Sequence, residues 1–308
     1  MPIRCRSVLR YPSAISLGQA FANSFAATSS GIGKGEIVLF RAMEASLKAV
    51  GSHPGVVVEE YHGAHHQVTF TGSGTYSRTN ARCELSDLLV IVYDRQAKYA
   101  RMSYIQAKSE RSVPASVNGI AGSLLAANLE QWDLLARRPS IGGVGSFKPP
   151  LDLLKSALLS SIGSFVFFVH AAGGVAVQYA AASRLTRPSA SVKRYGKLII
   201  GPDACHCGPH PECVSVYGNA EFGEFLFGMM IGTPILIRGK PVSPPLGGWL
   251  AAQLRGLAAM AVANDPPAAL ANELADLLDP DRAPAAQTPN VGAATLLLFG
   301  MTQDGRPD

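Results

Sequence analysis

Apolar and polar positions along this chain follow two periods, and each period marks its own elements. Over residues 36–50, Phe40, Met43 and Leu47 recur at helical spacing while Glu44 and Lys48 pair at i,i+4, which predicts an amphipathic helix. Leu88-Leu89-Val90-Ile91-Val92 is apolar on both alternating faces, the pattern of a strand buried on each side. Residues 100–107 alternate and predict its neighbour, with a polar turn over 94–98 between them. Val56-Val57-Val58 and residues 66–70 read as further strands.

Downstream, a helix is expected over 117–137, stopped by Pro139, and another over 151–159. A strand near 164–169 follows, then short strands at 197–200, 214–217 and 235–238 with a helix around 221–230. Helices at 247–263 and 268–278, a Pro-rich linker at 279–289 and a strand at 293–299 close the chain. This order predicts an α/β protein: a mixed central β-sheet flanked by helices, with a C-terminal α+β extension. Three regions are expected: an N-terminal arm over 1–30, a core over 31–175, and an α+β region over 176–308.

Composition removes some classes. With 47% hydrophobic and 16% charged residues, a chain of 308 residues can bury a large core and is not intrinsically disordered. Five cysteines, an odd number in a long chain, argue against a secreted disulfide scaffold. The net charge of +5 suits a polyanionic partner. Arg4, Arg6, Arg10 and Lys34 make the first segment basic, but Pro2, Pro12 and the lack of a long apolar run argue against a signal peptide. A cytoplasmic location is expected. Residues 156–183 lack Asp, Glu, Lys and Arg, yet serines, His170 and Gly173-Gly174 interrupt them, so a buried strand is expected and not a membrane span.

The candidate chemistry lies on the two central strands. Glu36 sits four, seven and eleven residues before Phe40, Met43 and Leu47, so this acid heads an apolar helical stripe and faces the interior or a cleft. Asp87 opens the first strand, and Gln106 and Lys108 share one face of the second, since side chains alternate. A hairpin would therefore gather a carboxylate, an amide and an ammonium at one end.

In these residues the chain resembles the PD-(D/E)XK nuclease superfamily, in its Mrr-like branch where Gln replaces the second acid. Glu36, Asp87 and Gln106-Ala107-Lys108 match the family pattern in order and spacing, over about residues 33–110. Glu130-Gln131-Trp132-Asp133 extends the likeness less specifically. The resemblance implies a restriction-endonuclease-like core and Mg²⁺-dependent hydrolysis of DNA, double-stranded by expectation, with Mn²⁺ able to substitute. It implies Asp87 as a direct metal ligand, Gln106 as a neutral one, Glu36 as direct or water-mediated, and Lys108 orienting water or steadying the phosphorane. A setting in bacterial restriction or antiphage defence follows from the same likeness, with a homo-oligomer or a defence-system protein as further partner. The rival expectations are an inactive nucleic-acid-binding or effector subunit with the same fold, and a partner that senses a small molecule.

Other motifs carry less. Cys205, Cys207, His210 and Cys213 could supply much of a tetrahedral zinc site, though their spacing is not that of a finger. Gly31-Ile32-Gly33-Lys34-Gly35 lacks the Ser or Thr of a phosphate loop. His65-His66 is expected as a surface pair and Asp133 on a solvated helix face.

Overall fold

The computed structural model describes residues 14–33, 35–50, 66–110, 124–171, 173–187, 190, 192, 194–200, 215–260, 266–281 and 295–301. In chain order the first half holds α1 (Ala14–Ser29), α2 (Glu36–Val50), β1 (Gln67–Thr71), β2 (Asn80–Glu84), β3 (Leu88–Asp94), β4 (Tyr99–Glu110), β5 (Leu124–Asn128), α3 (Leu129–Arg137) and β6 (Gly142–Gly143). The second half holds β7 (Gly163–Ala171), β8 (Gly174–Ala181), β9 (Leu185–Thr186), β10 (Tyr195–Ile200), β11 (Ser215–Tyr217), α4 (Asn219–Phe227), β12 (Thr233–Ile237), β13 (Lys240–Pro241), α5 (Pro244–Met260), α6 (Pro266–Leu278) and β14 (Thr295–Met301).

The all-apolar strand and its alternating neighbour form as an antiparallel pair at the centre of a mixed sheet. One edge of β4 takes β3, with β14 parallel beyond it. The opposite edge is shared: β12 pairs with residues 100–102 of β4, and β7 runs parallel to residues 104–110. β8 and β11 extend the sheet past β7. The sheet thus draws strands from both sides of residue 175.

Alternation divides the core in two. Leu88, Val90, Val92, Ile105 and Ala107 pack with α1, α2 and α4 on one face. Leu89, Ile91, Tyr93, Met102 and Tyr104 pack with α3, α5 and α6 on the other. The mixed sheet flanked by helices is therefore present, and among the described residues no helix is long and apolar enough to cross a membrane. The charge-free stretch forms β7 and β8.

Several expectations change. The segment read as an arm contains α1, whose Phe21 and Phe25 are buried against each other and against Phe222 and Phe168. α1 crosses α4 at a pair of glycines: a Cβ on Gly18 would fall 2.6 Å from the Glu224 nitrogen, and one on Gly223 2.9 Å from the Gly18 Cα. Of the helix expected over 117–137, residues 117–123 lie outside the described residues, 124–128 form a strand, and 129–137 are helical. β5 precedes it and pairs with β10, and the Asn128 side chain caps the helix by accepting from the N–H of Glu130 at 3.0 Å. Residues 151–159 form turns and not a helix. Their backbone bonds are partly local, as from Ser156 N–H to Asp152 O, and partly distant: Leu151 O accepts from Ile141 N–H, and Leu159 N–H donates to Thr233 Oγ1. Val56-Val57-Val58, His65 and the Cys205–Cys213 cluster lie outside the described residues.

His66 is buried, edge-on to Phe147, and not a surface residue. Asp133 is buried too. It accepts from Ser77 Oγ at 2.6 Å, Ser73 N–H at 3.0 Å and the Arg137 guanidinium at 2.9 Å, tying the 72–78 loop to α3. Burial pushes its carboxyl up, but the bonds from Arg137 and Ser77, the Arg137 charge and the Ser73 N–H outweigh it and hold the group below its ordinary value. A depressed folded pKa means stability that is present above the unfolded value, near 3.9, and is lost as pH falls through the folded one. Asp133→Ala should lower stability by about 2–3 kcal/mol at neutral pH, because it strands buried donors. Urea denaturation at pH 7 and pH 3 checks this: the gap between variant and wild type should shrink at the lower pH.

Candidate functional site

The register of the central pair places the site. Leu88 stands opposite Ile105, so Asp87, one residue before β3, comes level with Gln106. Asp87 N–H donates to Ile105 O at 3.2 Å, which continues the ladder past the strand's end. Its side chain turns back over β4, where Oδ2 accepts from Ala107 N–H at 2.8 Å and from Gln106 Nε2.

Because Ile105 and Ala107 point into the core against α2, Gln106 and Lys108 alternate to the side of α3 and β5. Gln106 is 1% exposed. Its Oε1 has no hydrogen-bond partner among the described residues, an orphan acceptor that a cation or a donor would satisfy. Lys108 reaches around the end of the sheet to the first turn of α2. Its Nζ donates to Glu36 Oε1 at 3.0 Å and to Ala107 O at 2.6 Å, and stands 3.9 Å from Asp87 Oδ2.

Glu36 and Asp87 thus share one ammonium. Their oxygens lie no further apart than 3.0 Å and 3.9 Å laid end to end, inside the roughly 8 Å beyond which two carboxylates could not share even a water-bridged Mg²⁺. All four residues singled out in the sequence line one cleft of about 470 Å³. Among the described residues no three His, Cys, Asp or Glu side chains gather as a metal cage. Two carboxylates with an amide oxygen are nevertheless a donor set that Mg²⁺ accepts, since it keeps several waters and substrate oxygens.

The far wall was not foreseen as part of the site. It comes from Asn128, Gln131, Arg194 and Tyr195. Gln131 is 5% exposed and follows Glu130, which is fully buried and bound by Arg78 at 2.5 Å and Arg194 at 3.8 Å. The Glu130-Gln131 pair was visible in the sequence, but nothing local marked Arg194-Tyr195, which arrives through the pairing of β10 with β5.

Comparison of the chain with protein-family models, with curated proteins and with solved structures finds no match.

Burial is the largest influence on Asp87 and pushes its carboxyl above the ordinary value; Lys108 and the Ala107 N–H pull it down, Glu36 raises it, and Gln106 lowers it. A raised folded pKa reverses the usual carboxylate linkage: stability falls as pH rises from the unfolded value through the folded one. The charged form of Asp87 therefore costs the fold stability. Asp87→Asn should melt at the same temperature as wild type or higher in EDTA at pH 7. A clear drop in scanning calorimetry would show that Lys108 outweighs burial.

Proposed function

We propose that the chain is a metal-dependent nuclease of the PD-(D/E)XK type with a restriction-endonuclease-like core, hydrolysing phosphodiester bonds of DNA. The observation that carries this reading is the meeting of Glu36, Asp87, Gln106 and Lys108 at one strand end, with the Gln106 oxygen left unsatisfied. A cytoplasmic role in bacterial restriction or antiphage defence accords with it.

Asp87, Glu36 and Gln106 would hold Mg²⁺ or Mn²⁺, which when bound polarises the scissile phosphate and makes an attached water acidic enough to attack. Asp87 supplies the anionic ligand, and its raised pKa makes cation binding fall away as the solution is acidified. Gln106 contributes an oxygen without charge, so the scissile phosphate meets less repulsion than a third carboxylate would impose. Lys108, held between the two acids, would set its side-chain nitrogen where the phosphorane gathers negative charge. Gln106 Nε2 donates to Asp87 and so stabilises the charged form of that carboxylate.

Cleavage of plasmid and oligonucleotide DNA with and without Mg²⁺ tests the reading. The wild-type chain should cut only with Mg²⁺ or Mn²⁺. Lys108→Ala should lose at least about 10²–10³-fold in rate, and Asp87→Ala should fall to background, both with an unchanged circular dichroism spectrum. Binding without cutting in either metal would favour the inactive nucleic-acid-binding subunit instead. Gln106→Glu adds a carboxylate and should tighten Mn²⁺ in a calorimetric titration; unchanged or weaker affinity would remove Gln106 from the coordination shell.

A further inference from the structure

The wall facing Lys108 offers chemistry that phosphodiester hydrolysis does not use. Tyr195 opens β10 in register with Asn128 of β5 and is 66% exposed. The Arg194 guanidinium lies over its ring, 5.6 Å from the centroid. Arg194 is steadied from behind by Glu130, but that carboxylate is already taken by two bonds from Arg78. One buried anion is thus shared between two arginines. Gln131 lines the same wall with an amide.

A largely exposed aromatic ring with a guanidinium over one face matches an unpaired nucleotide: the base stacks on the ring and the phosphate takes the cation. Amide groups such as that of Gln131 can meet the hydrogen-bonding edge of such a base. In an intact duplex these faces are covered by neighbouring bases, and the ring would have nothing to stack on.

We infer that Tyr195 and Arg194 receive an unpaired nucleotide of the strand whose phosphate lies at Lys108, so that the substrate is single-stranded or locally opened nucleic acid. The inference rests on the nuclease reading and departs from the double-stranded substrate that the family resemblance implies.

The test measures fluorescence anisotropy of a labelled single strand and of its hairpin duplex with the full chain in EDTA, followed by Mg²⁺-dependent cleavage of each. The single strand should bind more tightly. Tyr195→Ala should weaken single-strand binding by about 5–150-fold, the equivalent of one stacked base, and leave the duplex unchanged. Tyr195→Trp should restore it, and a 2-aminopurine base in the strand should be quenched by wild type but not by Tyr195→Ala. Equal or tighter duplex binding, or a Tyr195→Ala chain that binds the single strand normally, overturns this inference while metal-dependent cleavage of the duplex keeps the nuclease reading. Failure to bind or cut either probe overturns the nuclease reading and this inference with it.

Discussion

The pairing of Leu88 with Ile105 decides what the two central strands present, because adjacent residues on a strand face opposite sides of the sheet. In this register Ile105 and Ala107 enter the core beneath α2, and Gln106 and Lys108 enter the cleft. A slip of one residue would reverse both sets, burying an ammonium among Phe40, Leu47 and Val166 and exposing apolar side chains where the acids sit. The register is held from both edges: β3 grips one side of β4, while β12 and β7 divide the other between its two halves. β7 and β12 both begin at this junction, Gly163 opposite Tyr104 and Thr233 opposite Met102, and the Thr233 hydroxyl receives the Leu159 N–H across it. The carboxyl half of β4 is thus fixed within the sheet before its side chains reach the cleft.

What the sequence disclosed and what it hid divide along a physical line. Local pattern carried α2, β3 and β4 because their burial is encoded by period alone: the stripe from Glu36 through Leu47, and a strand apolar at every position from Leu88 to Val92. The site followed from those elements, since alternation and one hairpin suffice to bring Asp87 to Gln106. α1 escaped notice although Ala14, Gly18, Phe21 and Phe25 recur at helical spacing. Its outer face carries small polar residues and no charge, so the contrast between faces is weak. β5 was hidden inside a run of Leu and Ala that favours helix, and its partner β10 is remote in sequence. Asp133 and Arg137 have the i,i+4 spacing of a solvated pair, and only the loop folded over them, supplying Ser73 and Ser77, makes them interior.

The site carries its charge sparingly. Three polar side chains crowd one strand end, and a single ammonium serves both carboxylates. Asp87 pays for its position with a raised pKa, whereas the buried Asp133 is held low because four donor bonds converge on it. Asp133 fastens a loop, and Asp87 is left under-compensated beside an acceptor, Gln106 Oε1, that has no partner among the described residues. Natural proteins tolerate such local instability at working sites and recover it in the core.

On the proposed reading, the neutral Gln106 has a further consequence for how metal and substrate meet. Two carboxylates already committed to Lys108 hold a divalent cation less firmly than three free ones, so the remaining negative charge must come from the substrate phosphate. Cation and strand then raise one another's affinity by the same factor, as thermodynamic linkage requires. A cleft that places an aromatic ring and a guanidinium across from this half-filled cation site would use strand binding to complete it. Discrimination among nucleic acids would thereby pass into the metal step: a strand that cannot reach Tyr195 would present its phosphate poorly, and the cation it should help to hold would be held weakly.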